Sequence, residues 1–237
     1  MKPPGIYGWI MLGGILLGAY LWHRKWKNSE PVLFGIFIGA MIGAFLGAKL
    51  IYLFAEGWLH FGKPDAWLQI ATGKTILGAL LGGYLGVEIT KNLLEYNQPT
   101  GDWFAFTVAG GIAAGRIGCL FYGCCPGQEC DPQAWYALTD EARTARWPAV
   151  PIELAFNLIA IGILLQLQKS PVFRGQLFHA YLIGYGVFRF AHEFFRATPK
   201  IIFGEISSYH LAALVVMILG VAGYRKRARE NSIERQS

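Results

Sequence analysis

Charged residues are scarce in this chain. Only 15% of its 237 residues are charged, whereas 54% are hydrophobic, and the mean hydropathy is +0.37. Together with 30 glycines and 8 tryptophans, this composition is typical of helical membrane proteins that cross the bilayer several times. It argues against a soluble globular domain.

The chain also lacks patterns that indicate other classes of protein. Its basic residues are not interleaved with aromatic residues, so no nucleic-acid partner is expected. Its 4 cysteines form no C-x-x-C pair, which a membrane thiol–disulfide enzyme would be expected to show. There is no internal repeat or low-complexity tract, so we predict one integral membrane domain over residues 1–237, without a cofactor or a metal.

Apolar stretches long enough to cross a hydrocarbon core, which takes roughly 17–25 residues, recur along the chain. They run about Gly5–Trp22, Pro31–Ala55, Thr75–Thr90, Asp102–Tyr122, Val150–Leu167, Gly175–Phe195 and Ile206–Tyr224. The sequence therefore predicts an all-α fold, a polytopic transmembrane bundle of about seven helices. The third stretch is the shortest.

The lysines and arginines predict how the bundle is oriented. With the N-terminus outside, the cytoplasmic segments carry most of these cations, including a basic tail at residues 224–237. The positive-inside rule therefore favours an outer N-terminus and a cytoplasmic C-terminus, with a polar outer loop at residues 123–150. The first stretch lacks a small-residue cleavage site and is followed by its basic cluster, so we expect an anchor and not a removable signal peptide.

Arg116, Arg189 and Glu193 are charged residues that lie within apolar stretches. A charge at membrane depth costs several kcal/mol unless it is paired or faces a polar cavity, so these residues mark a candidate functional site. With the N-terminus outside, Arg116, Arg189 and Lys49 each lie about six residues before the outer end of their stretch, roughly 10 Å below the outer surface. We expect them to converge in the outer half of the membrane.

Arg189, Glu193 and Arg196 are spaced for one helical face. A cavity lined by such cations suits an anionic lipid headgroup, because a guanidinium group binds phosphate oxygens in bidentate fashion. The alternative is that Arg189 and Glu193 form a buried ion pair that only fixes helix packing. That alternative does not explain why Arg116 and Lys49 reach the same depth.

Glycines form three groups with different expected roles. Two stripes at four-residue spacing predict close contact with a neighbouring helix; they consist of Gly35, Gly39, Gly43 and Gly47, and of Gly78, Gly82 and Gly86. Around Arg116, packing and access for a headgroup are equally good explanations for the third group; it consists of Gly110, Gly111, Gly115 and Gly118.

The cysteines leave several options open. Cys124, Cys125 and Cys130 fall in the outer loop, where a disulfide from Cys130 to one of the adjacent pair is one option. A zinc site is less favoured, because the spacing of these cysteines is unusual for zinc ligands and no histidine is near. Cys119 at a helix end fits a free thiol equally well.

The run Ala114–Gly127, which reads AGRIGCLFYGCCPG, resembles the signature of the bacterial phosphatidylglycerol–prolipoprotein diacylglyceryl transferases. Tyr7-Gly8, Gly47–Leu50 and Arg189–Arg196 are similar to further motifs of this family. The resemblance covers most of the chain. It implies seven helices with the N-terminus outside and the C-terminus inside, as the charges predict.

The resemblance implies transfer of the diacylglyceryl group of phosphatidylglycerol to the lipobox cysteine thiol of a prolipoprotein, with release of glycerol phosphate. The expected partners are therefore this lipid and the prolipoprotein signal peptide, and the expected place is the bacterial inner membrane with the site facing the outer leaflet. The implied catalytic residues are Arg116, Arg189, Glu193 and Glu153. The implied substrate-binding residues are Tyr7, Lys49, Gly115, Gly118, Cys119, Gly127 and Arg196.

In the implied reaction, Arg116 and Arg189 hold the lipid phosphate while Glu193 orients an arginine. The chain departs from the family in the groups that handle protons: Leu77 stands where the family often has a histidine. Trp147-Pro148 precedes the matching Glu153 without the histidine and tyrosine that many members carry. Glu153, Glu193 and His192 remain the candidate bases.

Two other functions are compatible with some of these features. A diverged relative would bind phospholipid but modify another acceptor or have lost catalysis, as the absent histidine allows. An anion transporter would use Arg116, Lys49 and Arg189 to line a path, but it predicts matching charges in the inner half of the membrane.

Overall fold

The structure, a computed structural model, describes residues 5–26, 31–64, 66–140, 142–201 and 204–234. In this part of the chain the α-helices are α1 Gly5–Trp26, α2 Pro31–Ala55, α3 Ala66–Thr72, α4 Ile76–Leu93, α5 Gly101–Tyr122, α6 Ala149–Leu167, α7 Leu177–Glu193 and α8 Ser208–Glu234. Short 3-10 helices cover Gly57–His60 and Pro171–Phe173. A two-stranded antiparallel ribbon pairs β1 Leu138–Thr139 with β2 Ala145–Arg146.

The protein is mostly helical and has several helices suited to a membrane. Among the described residues, α2, α5, α6 and α8 are long and apolar enough to cross it. The pair α3 and α4, bent by 51° at a short break, makes a fifth span if it is counted as one. Each of the seven predicted stretches overlaps a helix, and α3 is an additional short helix that the sequence did not predict.

The chain divides into two compact units. One consists of residues 1–25, 100–198 and 217–237, and the other of residues 26–99 and 199–216. The first unit contains α5, α6 and α7, and the second contains α2, α3 and α4. The single membrane domain stays a prediction.

In the second unit, α2 and α4 touch through their glycine stripes. A Cβ atom on Gly43 would collide with the carbonyl oxygen of Gly82, and one on Gly82 would collide with that of Gly43. The same reciprocal conflict joins Gly47 to Gly78, and a Cβ atom on Gly86 would collide with the carbonyl oxygen of Gly39. The predicted close contact is therefore confirmed, and each stripe is the other's partner.

The break between α3 and α4 is filled by a side chain from α2. Lys49 Nζ donates to the carbonyl oxygens of Ile70, Ala71 and Gly73 at 2.5, 2.7 and 3.2 Å. On the other side of the break, the Thr75 hydroxyl caps α4 by accepting a hydrogen bond from the Gly78 amide at 2.9 Å. The carbonyl groups at the end of α3 and the Gly78 amide at the start of α4 lack partners within their own helices, and these side chains supply the missing hydrogen bonds.

In the first unit, α5 ends at Tyr122, and the next residue, Gly123, adopts a left-handed conformation with φ of 72°. This conformation is easy for glycine and reverses the chain. The loop that follows is tied to the segment just after α7, because Gln128 N donates to Phe195 O at 2.9 Å. The Trp147 ring stacks on Phe195 with 4.7 Å between ring centroids. The C-terminal ends of α5 and α7 therefore lie close to the N-terminal end of α6.

Candidate functional site

Five charged side chains meet at this end of the first unit and are called the arginine cluster. They are Arg116 of α5, Glu153 of α6, Arg189 and Glu193 of α7, and Arg196 just beyond α7. None of the arginines is more than 8% exposed, and both glutamates are 0% exposed. The structure thus brings together all four predicted catalytic residues and the predicted substrate-binding Arg196.

Each glutamate pairs with two arginines. Glu153 Oε2 lies 2.8 Å from Arg116 Nη2 and 3.5 Å from Arg196 Nη1. Glu193 Oε2 lies 2.6 Å from Arg189 Nη1 and 3.8 Å from Arg196 Nε. Arg196 therefore links the two carboxylates, and the ion pair between Arg189 and Glu193 that the sequence offered as an alternative is present.

The arginine cluster carries one more positive charge than negative charge, since three guanidinium groups face two carboxylates. The Nε atoms of Arg116 and Arg189 are buried and make no hydrogen bond to the described part of the chain. A buried charge without a counter-ion is strongly unfavourable. The cluster is therefore suited to one bound anion with oxygen acceptors, such as a phosphodiester.

A chain of hydrogen bonds that the sequence did not predict holds Glu153. Tyr185 donates from its hydroxyl to Glu153 Oε1 at 2.8 Å. Asn157 Nδ2 donates to the Glu153 carbonyl at 2.8 Å, and Asn157 Oδ1 accepts from the Tyr181 hydroxyl at 2.8 Å. The signal that would have found these residues is their spacing, because Tyr181, Tyr185 and Arg189 recur every four residues on α7.

The predicted helical face that joins Arg189, Glu193 and Arg196 needs a correction. Helix α7 ends at Glu193, so only the first two residues share its face. Arg196 returns to the cluster through a turn in which its amide donates to Glu193 O at 3.3 Å. Glu193 Oε1 also accepts a hydrogen bond from the Thr198 hydroxyl, just beyond that turn.

The predicted glycines lie around the arginine cluster in different settings. Gly127 pairs with Arg196 in an isolated bridge. A Cβ atom on Gly127 would collide with the Trp147 carbonyl, so packing alone requires glycine there. Gly118 is buried on α5 and Gly115 is half-buried, and their contact with substrate stays a prediction.

Two further predicted substrate-binding residues and the position of the family histidine belong to α1, α2 and α4. Tyr7 lies in α1, and its side chain is outside the part of the structure that is described. Lys49 belongs to the second unit, where three carbonyls accept from its ammonium group. Leu77 is buried in the first turn of α4. Roles of Tyr7 and Lys49 in lipid binding stay predictions.

His192, one of the candidate bases, is buried beside the arginine cluster. Its Nε2 lies 3.1 Å from the carbonyl oxygen of Ala149, and its ring stacks on Phe188 at 5.0 Å between centroids. Because a carbonyl only accepts, this contact requires the hydrogen on Nε2 and leaves Nδ1 as the acceptor in the neutral ring.

The four cysteines are free thiols, so the disulfide proposed for Cys130 is not formed. Instead, the Sγ atoms of Cys119, Cys124 and Cys125 all lie within 4.8 Å of one another. The Cys119 sulfur also lies 3.8 Å from Arg116 Nη1. The sequence grouped Cys124 and Cys125 with Cys130, because the reversal at Gly123 that returns them to Cys119 is not visible in the spacing.

Arg146 fixes the loop after α5. Its Nε donates to Asp140 Oδ2 at 2.5 Å, and its Nη1 donates to the Gly127 carbonyl at 3.4 Å. Its Nη2 lies 3.6 Å from Glu129 Oε1. The hydrogen bond from Arg146 lowers the pKa of Asp140 below its ordinary value. This side chain thereby connects the β-ribbon to the segment that approaches Arg196.

Comparisons with known proteins agree on one family. A sequence model described as prolipoprotein diacylglyceryl transferase matches residues 5–225. A phosphatidylglycerol–prolipoprotein diacylglyceryl transferase 2 of Clostridium perfringens is 27% identical over 230 residues, covering 92% of this chain and 89% of that protein. The transferase of Symbiobacterium thermophilum is 29% identical, with 91% and 85% covered, and that of Cupriavidus pinatubonensis is 29% identical, with 94% and 88% covered. No solved structure matches the chain.

Proposed function

The chain belongs to the prolipoprotein diacylglyceryl transferase family, and we propose that its arginine cluster binds the phosphate of phosphatidylglycerol during the reaction. The enzyme is a transferase that moves the diacylglyceryl group of this lipid to prolipoproteins. The acceptor atom is the thiol sulfur of the lipobox cysteine. The observation that carries the proposal is the buried excess of one positive charge, because a phosphodiester carries one negative charge.

Arg116 and Arg189 contribute most during bond breaking. When the bond between the glyceryl carbon and its phosphate oxygen breaks, the leaving glycerol phosphate gains a second negative charge. Guanidinium groups already placed in a buried site stabilise such a charge without rearranging. The free Nε donors of both arginines support this role, because each has a hydrogen bond left to give.

The glutamates act mainly by holding the arginines. Glu153 uses Oε2 for two arginines and Oε1 for the Tyr185 hydroxyl, so its oxygens are already engaged. Glu193 holds Arg189 in the same way. These contacts favour positioning over proton transfer. His192 offers Nδ1 as an acceptor and remains the candidate base of this group.

The proposed topology has seven crossings of the bacterial inner membrane, with α3 and α4 forming one bent crossing. The N-terminus is outside and the C-terminus is cytoplasmic. The supporting observation is the basic end of α8, which carries Arg225, Lys226, Arg227 and Arg229. In this topology the arginine cluster faces the outer leaflet, and the loop after α5 meets the prolipoprotein.

The proposal is tested with the purified full-length protein. It is incubated with phosphatidylglycerol carrying a labelled diacylglyceryl group and with a lipobox peptide, and the peptide mass is measured. We expect a gain of one diacylglyceryl group on the cysteine, and no gain on a matched peptide with serine in its place. Absence of lipidated peptide at every lipid concentration would overturn the function.

A further inference from the structure

The thiol cluster Cys119, Cys124 and Cys125 is the strongest feature that the proposed function leaves unused. The fold builds it at the end of α5. Gly123 reverses the chain, and the amide of Cys124 then donates back to the carbonyl of Cys119 at 3.3 Å. Cys125 has φ of 62°, a left-handed conformation that few residues other than glycine adopt. The backbone is therefore held in an unusual shape that returns both thiols to Cys119.

The distances fit one metal ion. Sulfur atoms bound to zinc at about 2.3 Å in tetrahedral geometry lie about 3.8 Å from one another. The three Sγ atoms lie within 4.8 Å of one another, so small rotations bring them to a common ion. Thiolates are the ligands that zinc and other thiophilic metals prefer. Cys124 and Cys125 are half-buried, so an ion and a further ligand have access to them.

The charges fit as well. Three thiolates around Zn²⁺ leave one negative charge, which offsets the excess positive charge of the arginine cluster, so with zinc bound the lipid phosphate is held by the Nε donors of Arg116 and Arg189. A cation beside the sulfurs favours their deprotonated form. Arg116 supplies such a cation, with Nη1 at 3.8 Å from the Cys119 sulfur. The same guanidinium is proposed to hold the lipid phosphate, so the metal would lie next to the bond that breaks.

We propose that Cys119, Cys124 and Cys125 bind one zinc ion whose fourth position takes the thiol of the prolipoprotein. This inference rests on the proposed function. Three protein ligands leave that position open, as in catalytic zinc sites. A thiol that binds the metal loses its proton outright, which supplies the nucleophile in a chain with leucine at the position of the family histidine.

The step balances as follows. The acceptor thiol releases its proton on binding zinc, and the thiolate attacks the glyceryl carbon of the lipid. A carbon–sulfur bond forms, and the carbon–oxygen bond to phosphate breaks with both electrons on the oxygen. The released proton is balanced by proton uptake of the glycerol phosphate or the solvent. The product is a neutral thioether, a poorer ligand than a thiolate, and so it leaves the metal.

Metal content tests the site directly. Purified full-length protein is measured by elemental analysis, and we expect about one zinc per chain. Cys119→Ser, Cys124→Ser and Cys125→Ser should each lower the zinc content at least fivefold, whereas the matched control Cys130→Ser should keep it. Zinc absent from the wild-type protein even after addition of zinc to reduced thiols, or equal content in all four variants, would overturn the site.

Cobalt tests the fourth position without relying on variants that fold poorly. Co²⁺ bound to three thiolates gives a sulfur-to-metal charge-transfer absorption, and we expect this band to grow when a lipobox peptide is added. A peptide with serine instead of cysteine should leave the band unchanged. Equal spectra with both peptides would overturn the role of the acceptor thiol, and a reduced protein that gives no charge-transfer band with Co²⁺ would overturn metal binding.

The lipidation assay separates this inference from the proposed function. Lipidated peptide from a protein that binds no zinc would contradict the metal site and leave the transferase function in place. A zinc-loaded protein that binds the peptide thiol but transfers no lipid would contradict the proposed function alone.

Discussion

Glu153 joins two arginines that come from different parts of the chain. Its Oε2 lies 2.8 Å from Nη2 of Arg116 in α5 and 3.5 Å from Nη1 of Arg196, which follows α7. Because Glu153 is completely buried, its carboxylate is the counter-ion that allows both guanidinium groups to remain there. The geometry of the proposed phosphate site therefore depends on a residue that need not touch the phosphate.

Replacement of either proposed phosphate ligand should abolish most of the activity. Arg116→Gln and Arg189→Gln each remove a positive charge that stabilises the anionic leaving group, so we expect kcat/KM to fall by about 100-fold or more. The measurement is the rate of peptide lipidation at a fixed lipid concentration. Arg225→Gln, at an exposed position on α8, is the matched control and should retain the wild-type rate. A change of less than about threefold at Arg116 would contradict its role.

Removal of the shared carboxylate should destabilise the fold. Glu153→Ala leaves the buried Arg116 without its paired carboxylate and removes one of the two carboxylates beside Arg196, and breaking a buried pair costs about 3–5 kcal/mol. Thermal unfolding in mild detergent should show a lower midpoint than for Glu95→Gln, which changes an exposed carboxylate. Tyr185→Phe should lose about 1 kcal/mol, the typical contribution of one hydrogen bond. Equal midpoints for Glu153→Ala and Glu95→Gln would show that the ion pairs are unimportant for stability.

The contact between α2 and α4 should not tolerate a methyl group. Gly43→Ala places a Cβ atom against the Gly82 carbonyl, so the two helices must separate and the unfolding midpoint should fall. Gly162→Ala on α6 meets no atom within 4 Å and should leave the midpoint unchanged or raise it, because alanine favours helix. The prediction fails if the two variants unfold at the same temperature.

Arg146 should control protease access to the loop after α5. Arg146→Gln removes the bonds to Asp140 and Gly127, so we expect faster cleavage between residues 128 and 146. Arg143→Gln, an exposed arginine of the same loop, should be cleaved at the wild-type rate.

The same contact has a predictable dependence on pH. Because Arg146 lowers the pKa of Asp140 in the folded state, the stabilisation is fully present above the ordinary value of 3.8 and is lost as the pH falls through the lower folded value. Cleavage of the wild-type loop by a protease active over this range should therefore not change between about pH 8 and pH 5. Loop opening near pH 6 would contradict the assignment to Asp140.

The helices and the charged residues of the site were predictable for the same reason. Long apolar runs must form helices in a membrane, and charges within them must find partners. Arg116, Arg189 and Glu193 stand out in such runs, and the structure indeed pairs all three. Their distances from the helix ends predicted that α5 and α7 would meet, whereas the convergence of Lys49 with them stays a prediction.

Tyr185, Asn157 and the thiol cluster could not be predicted so directly. Tyrosine and asparagine are unremarkable in an apolar helix until a buried carboxylate is known to lie beside them, as Glu153 does here. The approach of Cys124 to Cys119 depends on the reversal at Gly123, which is a matter of backbone conformation and not of residue spacing.

Lys49 also has a consequence for how the second unit is assembled. Its ammonium group takes the place of amide donors that a continuous helix would have offered to Ile70, Ala71 and Gly73. Hydrocarbon offers no substitute donors, so a neutral side chain at residue 49 would strand three carbonyls at the kink. Because α2 precedes α3 and α4 in the chain, its insertion during synthesis would place the Lys49 ammonium group in the bilayer before the kinked segment enters.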